Sequence, residues 1–398
     1  MVYYKKCFLK SAATSKRAQI LKGVIMADYL GKEVFKLGFG LMRLPQNADG
    51  SINIEETSAM VDKFIAAGGT YFDTAYVYGD GDSEIAARKA LVERYPRNSY
   101  TLATKICSWK AHDEQSAQQE FYTSLERTGA GYFDYYLLHA LQLSNYAQYE
   151  EFRIWDFVKQ LKRKGLVKHF GFSFHATPEL LEQLLTDHPE VDFVQLQINY
   201  ADWFNPDVAS RECYEIARKH GKSIVVMEPV KGGALANPPK DVEDIFKAAN
   251  PNASNASWAI RYAASLDGII TVLSGMSTLA QMEDNLSYMT HFKPLTAKEQ
   301  DVISRVQQAL RNVQTIPCTA CHYCTGGCPK RIPIPEIFAA RNKHLRELKA
   351  SGAKREYQKV VTGAGKASDC VKCGQCEGVC PQQLKITELL TDCVKHLE

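Results

Sequence analysis

The sequence predicts an α/β fold, a parallel (β/α)8 TIM barrel, followed by a small C-terminal domain that is mainly helical. Two observations support this prediction. Short apolar runs alternate with amphipathic stretches eight times between residues 37 and 288, which is the number of units in such a barrel. Eight of the twelve cysteines lie in the last fifth of the chain in two copies of one spacing, with Cys393 after them. A doubly wound sheet is the alternative, but no G-x-G-x-x-G motif follows the first predicted strand.

Three segments differ in their sequence pattern. Residues 1–25 have lysines and a few apolar residues but no continuous apolar core, so we do not expect a signal peptide. We expect an N-terminal extension there, upstream of a true start at Met26. Residues 26–315 form the predicted barrel, and residues 316–398 form the predicted small domain.

The composition limits the classes of function. The 398 residues are 45% hydrophobic and 23% charged, and no apolar run is long enough to predict a membrane span. A formal net charge of +3 gives no reason to expect nucleic acid as a partner. Closely spaced cysteines without a secretion signal indicate a reducing compartment, so we expect a cytoplasmic protein.

Strands are expected at the short apolar runs, and helices at the amphipathic stretches that follow them. The predicted strands are Leu37–Met42, Thr70–Asp73, Thr101–Thr104, Tyr135–Leu138, Val167–Ser173, Phe193–Gln197, Ser223–Glu228 and Ile269–Leu273. The predicted helices are Glu55–Ala67, Ser83–Arg94, Glu114–Thr128, Phe152–Lys164, Pro178–Thr186, Val208–His220, Asn255–Ser265 and Leu279–Tyr288. A capping-box pattern at Thr296 and Glu299 opens one more helix, which runs to about Gln314.

Polar residues follow three successive predicted strands. The second strand ends in FDTAYVYG at residues 72–79, the third in Thr104-Lys105 and the fourth in Leu137-Leu138-His139. Because catalysis in such a barrel takes place at the carboxyl ends of the strands, we expect these side chains to share one rim. Taken singly, each has a structural alternative: a helix cap, an ion pair or a satisfied rim histidine.

These residues resemble the catalytic motifs of the aldo/keto reductase family, and the resemblance covers roughly residues 30–314. It implies a catalytic tetrad of Asp73, Tyr78, Lys105 and His139. The chemistry is consistent with carbonyl reduction, in which hydride transfer leaves an alkoxide that needs a proton. We expect Lys105 to lower the pKa of Tyr78, Asp73 to hold Lys105, and His139 to orient the carbonyl oxygen.

The same resemblance implies residues for NAD(P)H. Ser173 and Gln197 match positions that hold the nicotinamide carboxamide, whereas Phe174 replaces a usual Asn. Met227 stands where many members place an aromatic ring, and its thioether can pack against the nicotinamide.

Residues 274–285 resemble the nucleotide loop of the family, where a helix N-terminus receives phosphate oxygens. The residues implied in cofactor binding there are Gly275, Met276, Ser277, Gln281 and Asn285. Gly275 and Gln281 stand where NADPH-preferring relatives carry Lys and Arg, so NADH or dual use is expected. A plain barrel-closing turn is the structural alternative.

The cysteines of the tail predict iron–sulfur clusters. Each motif reads C-x2-C-x2-C-x3-C-P, the spacing of bacterial two-cluster proteins. In these proteins the fourth cysteine of each motif binds the other cluster. The expected sets are Cys318, Cys321 and Cys324 with Cys380, and Cys370, Cys373 and Cys376 with Cys328. Zinc usually takes two separated cysteine pairs, and disulfides do not suit a reducing compartment, so both alternatives fit less well.

The arrangement of barrel and tail resembles a branch of the aldo/keto reductases that carries a C-terminal ferredoxin-type domain with two [4Fe-4S] clusters. Basic helical stretches between the two motifs are either a solvated face or a docking surface for a ferredoxin or flavodoxin. Their cations are Arg341, Lys343, Arg346, Lys349, Lys354, Arg355 and Lys359.

The leading hypothesis is an NAD(P)H-dependent reductase of a small aldehyde or ketone, with clusters that transfer electrons or stabilise the tail. The alternative is an electron-transfer or redox-sensing protein whose barrel binds nucleotide with little turnover. Trp109, Trp203 and Phe204 are candidate pocket walls, and core packing is the alternative for each. Cys107 and His175 are further candidates for the rim.

Overall fold

The computed structural model describes residues 29–311, 313, 315–347 and 350–398, without the side chains of residues 346–351. The predicted extension 1–25, the expected start at Met26 and the predicted helix end at Gln314 lie outside the described residues. The same holds for Lys349 and for the side chain of Arg346.

Eight parallel strands close into a barrel in chain order, as the sequence predicts. They are β1 (Leu37–Gly40), β2 (Tyr71–Asp73), β3 (Thr101–Ile106), β4 (Phe133–Leu141), β5 (Val167–Phe174), β6 (Phe193–Gln197), β7 (Ser223–Met227) and β8 (Ile269–Ser274). Each strand pairs with the next, and β1 closes the barrel on β8 through the pairs Leu37–Val272 and Phe39–Ser274. Closure leaves no sheet edge and places all carboxyl ends at one mouth.

Helices surround the barrel and continue into the tail. Those of the barrel are α1 (Ile54–Ala66), α2 (Asp82–Ala87), α3 (Glu114–Thr128), α4 (Tyr146–Glu151), α5 (Ile154–Arg163), α6 (Pro178–Asp187), α7 (Ser210–Lys219), α8 (Lys240–Ala249), α9 (Asn255–Ala264), α10 (Leu279–Met289) and α11 (Ala297–Leu310). Those of the tail are α12 (Ile334–Glu347), α13 (Ala350–Val360), α14 (Gln375–Gly378) and α15 (Ile386–Leu397). The capping box of α11 is present, with Thr296 and Glu299 bonding each other's backbone N–H.

Three helical regions differ from the prediction. Arg153, at φ +51°, separates α4 from α5, where the sequence predicts one helix that starts at Phe152. The helix predicted to reach Arg94 ends as α2 at Ala87 and continues as a π-helical turn, Arg88–Val92. Helix α8 was not predicted, because it lies within a connection that the barrel pattern leaves unspecified.

Two of the four hydrophobic clusters among the described residues lie close to the candidate sites. The barrel interior is filled by Tyr71, Ala103, Tyr135, Leu137, Phe193, Val225, Ile270 and Leu273, so it is a packed core and not a pore. Apolar side chains of the tail helices and the cysteine loops form the other core, which runs from Ile316 to Leu397. None of the helices within the described ranges is long and apolar enough to cross a membrane.

Candidate active site

One cavity opens at the carboxyl ends of the strands, and all four predicted catalytic residues line it. Its volume of about 590 Å³ is within the usual range for small-molecule and cofactor sites. Asp73 ends β2, Lys105 is the last residue but one of β3, and His139 lies in β4. Tyr78 follows β2 on a short 3₁₀ turn. The structure therefore brings the four side chains together.

Lys105 is buried and pairs with Asp73. Its Nζ donates to Asp73 Oδ1 at 2.5 Å and to the Thr74 carbonyl oxygen at 2.7 Å. The two charged side chains are only 1% and 3% exposed. Burial raises the pKa of Asp73 and lowers the pKa of Lys105, and their mutual attraction opposes both shifts. Each charge therefore needs the other, and the pair holds the ammonium in place.

The Tyr78 ring lies beside this ammonium, with 5.0 Å between Lys105 Nζ and the ring centroid. Burial, followed by the neighbouring Tyr323, raises the pKa of Tyr78 well above its ordinary value. The sequence predicts that Lys105 lowers this pKa, but the net shift is upward, because burial disfavours the phenolate. Tyr78 is therefore a protonated phenol that can donate a proton.

His139 is held as a neutral imidazole. Burial, then the charges of Lys105 and His175, lower its pKa well below the ordinary range. Its Nε2 lies 3.3 Å from the Tyr323 hydroxyl oxygen, and its Nδ1 is buried without a hydrogen-bond partner among the described residues. The centroids of the Trp109 and His139 rings are 5.3 Å apart. Trp109 therefore packs beside a residue that lines the cavity.

The residues expected at the nicotinamide are only partly brought together. Ser173 and Met227 line the cavity, but Gln197 does not, and Gln195 lines it instead. Gln197 turns its amide nitrogen to the buried Asp202, at 3.3 Å from Oδ2. Gln195 Oε1 is buried and has no hydrogen-bond partner within the described chain. This free acceptor fits a carboxamide NH₂ group, so the cavity suits a nicotinamide.

The residues expected at the nucleotide loop all line the same cavity: Gly275, Met276, Ser277, Gln281 and Asn285. Thr278 caps α10, where its hydroxyl accepts from the Gln281 N–H at 3.2 Å. The Gln281 side chain in turn accepts from the Ser277 N–H at 2.7 Å. The loop is therefore built around a helix N-terminus, which suits a phosphate group.

Sequence reasoning missed several polar residues of this cavity, among them Arg43, Gln195, Glu228 and Tyr323. The Arg43 guanidinium donates to the carbonyl oxygens of Thr319 and Ala320, at 2.6 and 3.3 Å. Burial raises the pKa of the Glu228 carboxyl, while the charge of Arg43 opposes the shift. Only Gln195 carried a usable signal, because it lies two residues before Gln197 and hence on the same strand face.

The eight cysteines of the two motifs line two further small cavities. One is bordered by Cys318, Cys321, Cys324 and Cys380. The other is bordered by Cys328, Cys370, Cys373 and Cys376. These are the two crossed sets that the spacing predicts. No three Cys, His, Asp or Glu side chains of the described residues are placed to hold a single metal ion.

Three other candidates from the sequence, Cys107, Trp203 and Phe204, do not line the main cavity. Cys107 is buried against Glu120, whose Oε2 accepts from the Cys107 N–H at 2.8 Å. Trp203 packs on Tyr214 and Tyr262. Phe204 is about half exposed, and the Arg211 guanidinium lies over its ring. His175 does line the main cavity, as the sequence allowed.

Comparison with protein families matches both parts of the chain. A model described as the aldo/keto reductase family matches residues 36–308. A model described as a 4Fe-4S dicluster domain matches residues 317–385. L-galactose dehydrogenase of Arabidopsis thaliana is 24% identical over 303 residues, which are 72% of this chain and 93% of that protein.

Solved structures share the fold. The holo form of an aldo-keto reductase from Bacillus halodurans superposes with a TM-score of 0.58 at 24% identity, covering 70% of this chain and 95% of that one. An aldo/keto reductase from Klebsiella pneumoniae, solved with NADP and acetate, has a TM-score of 0.57 at 19% identity. That match covers 69% of this chain and 92% of the other.

Breaking the buried ion pair should destabilise the protein far more than breaking an exposed pair of equal length. We expect Asp73→Asn to cost about 3–5 kcal/mol in the free energy of unfolding, because it leaves the Lys105 charge buried without a partner. Lys63 and Glu283 also lie 2.5 Å apart, but their side chains are 41% and 52% exposed. Glu283→Gln should therefore cost less than about 1 kcal/mol.

Denaturant unfolding, followed anaerobically, measures both values. Asp73→Asn combined with Lys105→Met should recover most of the loss, because the double variant buries no unpaired charge. Equal costs for Asp73→Asn and Glu283→Gln would contradict the assigned role of the buried pair.

Proposed function

The chain belongs to the aldo/keto reductase family, whose members are oxidoreductases, and we propose that it reduces an aldehyde or ketone with NADH or NADPH. The observation that carries this proposal is the shared cavity of a protonated phenol, a buried ion pair and a neutral imidazole. These are the groups that carbonyl reduction requires beside a nicotinamide.

Each side chain has one proposed task. A nicotinamide, when bound in this cavity, would supply the hydride for the carbonyl carbon. Tyr78 gives its hydroxyl proton to the oxygen, which becomes a stronger base than the phenolate as it takes up negative charge. Lys105 stabilises the phenolate that Tyr78 leaves, and Asp73 keeps Lys105 charged and in place. His139, being neutral, hydrogen-bonds the oxygen through Nε2 without adding a charge.

Cofactor binding is proposed along the length of the cavity. Ser173 and Gln195 would hold the carboxamide, and Met227 would pack on the ring; a contact with Gln197 stays a prediction that its bond to Asp202 does not favour. The nucleotide loop, Gly275 to Asn285, would receive the phosphates. Arg43 is the cation of the cavity nearest to Gly275, but its guanidinium is engaged by the tail carbonyls.

For the tail we propose two [4Fe-4S] clusters on the crossed cysteine sets, which serve electron transfer. Cluster assembly needs reduced thiols, so the proposal includes a cytoplasmic location. An acidic carrier such as a ferredoxin or flavodoxin is the proposed partner. Arg341 does not contribute to such a surface, because it is buried and donates to Asp392 at 2.9 Å. Lys354, Arg355 and Lys359 are exposed.

A second candidate function is electron transfer or redox sensing with little turnover in the barrel. It is favoured by Cys321, which borders both a cysteine cavity and the main cavity. A chemical difficulty weighs against direct exchange, since a nicotinamide gives up two electrons as hydride whereas a cubane accepts one. Loss of the Tyr78 hydroxyl separates the two functions, because only carbonyl reduction needs it.

Tyr78→Phe should lower carbonyl reduction by about 10²–10⁴-fold, because it removes the proton donor. The measurement is anaerobic oxidation of NADH by a panel of small aldehydes and ketones. Tyr122→Phe, the same change at an exposed tyrosine of α3, should leave the rate unchanged. Unchanged turnover in Tyr78→Phe would contradict the proposed reductase and leave the electron-transfer function.

The nucleotide loop should favour NADH or accept both cofactors, because no cation stands at residues 275 and 281. Gln281→Arg should tighten NADPH binding about tenfold or more through a charge-assisted contact with the 2′-phosphate, with little change for NADH. Fluorescence titration of both cofactors measures this, and Gln119→Arg on exposed α3 is the control. A wild-type protein with a strong bias to NADPH would contradict the expectation.

If the crossed cysteine sets are right, removing two cysteines of one set should cost no more iron than removing either cysteine alone. The wild-type protein should hold about eight irons, and Cys318→Ala or Cys380→Ala should each lose about half of them. The double variant of these two should lose no more, because both residues serve one cluster. Cys373→Ala with Cys380→Ala should lose nearly all iron, since the two serve different clusters.

Iron analysis and visible absorbance of anaerobically prepared protein give the result. Cys393→Ala is the control, because this buried cysteine borders neither cysteine cavity. Zinc in place of iron, or additive losses in the Cys318–Cys380 pair, would exclude the proposed ligand sets.

A further inference from the structure

Tyr323 lies between two proposed cluster ligands, Cys321 and Cys324, yet its side chain belongs to the barrel cavity. Its hydroxyl oxygen is 3.3 Å from His139 Nε2, and the two rings stand at 85° with centroids 6.2 Å apart. The Tyr323 and Tyr78 side chains are also close enough to interact with each other. The side chain therefore stands beside both groups that would contact a carbonyl oxygen.

The backbone near Tyr323 packs closely against the rim of the barrel. Arg43 binds the carbonyl oxygens of Thr319 and Ala320 from the barrel side. At Gly232, where φ is +63°, a Cβ atom would stand 2.5 Å from the Thr319 carbonyl oxygen. Only glycine fits such an approach without displacing the backbone. The position of Tyr323 is thus set by contacts that belong to the fold.

The Tyr323 hydroxyl lies beside the groups that line the cavity, as its 3.3 Å distance from His139 Nε2 shows. Tyr78, His139 and Tyr323 border the same cavity. An oxygen atom within hydrogen-bond reach of Tyr78 and of His139 Nε2 would therefore also lie close to the Tyr323 hydroxyl.

We propose that the Tyr323 hydroxyl is a third hydrogen-bonding contact of the substrate oxygen, beside Tyr78 and His139. The inference rests on the proposed carbonyl reduction and makes the cysteine loop, residues 318–328, a wall of the reductase site. A donor aimed at an oxygen that gains charge contributes most in the transition state. Tyr323 therefore positions the carbonyl and stabilises the forming alkoxide, while Tyr78 alone transfers the proton.

Tyr323→Phe tests this inference in the full-length holoprotein, because the change keeps the ring and removes only the hydroxyl. We expect kcat/KM for a small aldehyde to fall about 10- to 100-fold, with most of the loss in kcat. The dissociation constant of NADH and the iron content should each stay within about twofold, since the hydroxyl is assigned to neither.

Tyr357→Phe is the matched control in the same tail. Its hydroxyl bonds the Ala367 N–H and Glu398 within the tail core and does not border the barrel cavity. Its kcat/KM should equal that of the wild type. An equal loss in Tyr357→Phe would trace the effect to a loosened tail and overturn the inference.

The outcomes separate this inference from the function on which it rests. A wild-type protein that reduces no carbonyl compound would overturn both. Wild-type turnover with unchanged or improved kcat/KM in Tyr323→Phe would overturn the third contact alone, and improvement would identify Tyr323 as an obstacle that substrate displaces. A loss confined to KM would also overturn it, because the hydroxyl would then bind the ground state only.

Discussion

The active site depends on the close approach of the cysteine loop to the barrel mouth. Arg43 and Gly232 meet the Thr319–Ala320 backbone, and Lys231 lies 3.3 Å from Gln382 on the second cysteine motif. The mouth of such a barrel is otherwise the open end, where connecting loops form the site. Here Cys321, Tyr323 and Pro381 of the tail border the cavity as well. The tail therefore forms part of the wall of the proposed active site.

Desolvation is the common cause of the electrostatics in this cavity. It keeps Tyr78 protonated and His139 neutral, and it leaves Lys105 charged only through Asp73. The same low polarity strengthens any hydrogen bond to an oxygen that becomes charged. The site therefore combines two neutral side chains, Tyr78 and His139, with an ion pair whose charges cancel. Such a site suits a neutral substrate that becomes negatively charged only during the reaction. Carbonyl reduction by hydride has this requirement.

Local pattern was sufficient to predict the barrel and its rim. Strand periodicity places Asp73, Lys105 and His139 near the ends of neighbouring strands, and closure then brings them together without further information. The crossed cysteine sets follow from spacing in the same way. Even there, the net direction of the Tyr78 pKa could not be predicted, because it depends on burial by the distant tail.

The residues that were missed or misplaced depend on contacts far apart in the chain. Gln197 leaves the cavity because Asp202 attracts its amide, and sequence alone does not rank that contact against a role for Gln195. The sequence pattern places Arg341 on a basic face. In the structure its side chain is buried and pairs with Asp392 of α15. Tyr323 has no periodic or motif signal, since its role arises only when the tail meets the barrel.

Two of the tail residues that line the cavity, Tyr323 and Pro381, are linked to one cysteine set. Tyr323 follows Cys321 by two residues, and Pro381 directly follows Cys380, and both cysteines border the same small cavity. They come from motifs about fifty residues apart in the chain. The free energy of binding one cluster would therefore act on both wall residues at once, because metal binding and local folding are coupled. The proposed clusters would therefore affect the proposed carbonyl reduction through the shape of the site, whether or not an electron passes between the tail and a nicotinamide.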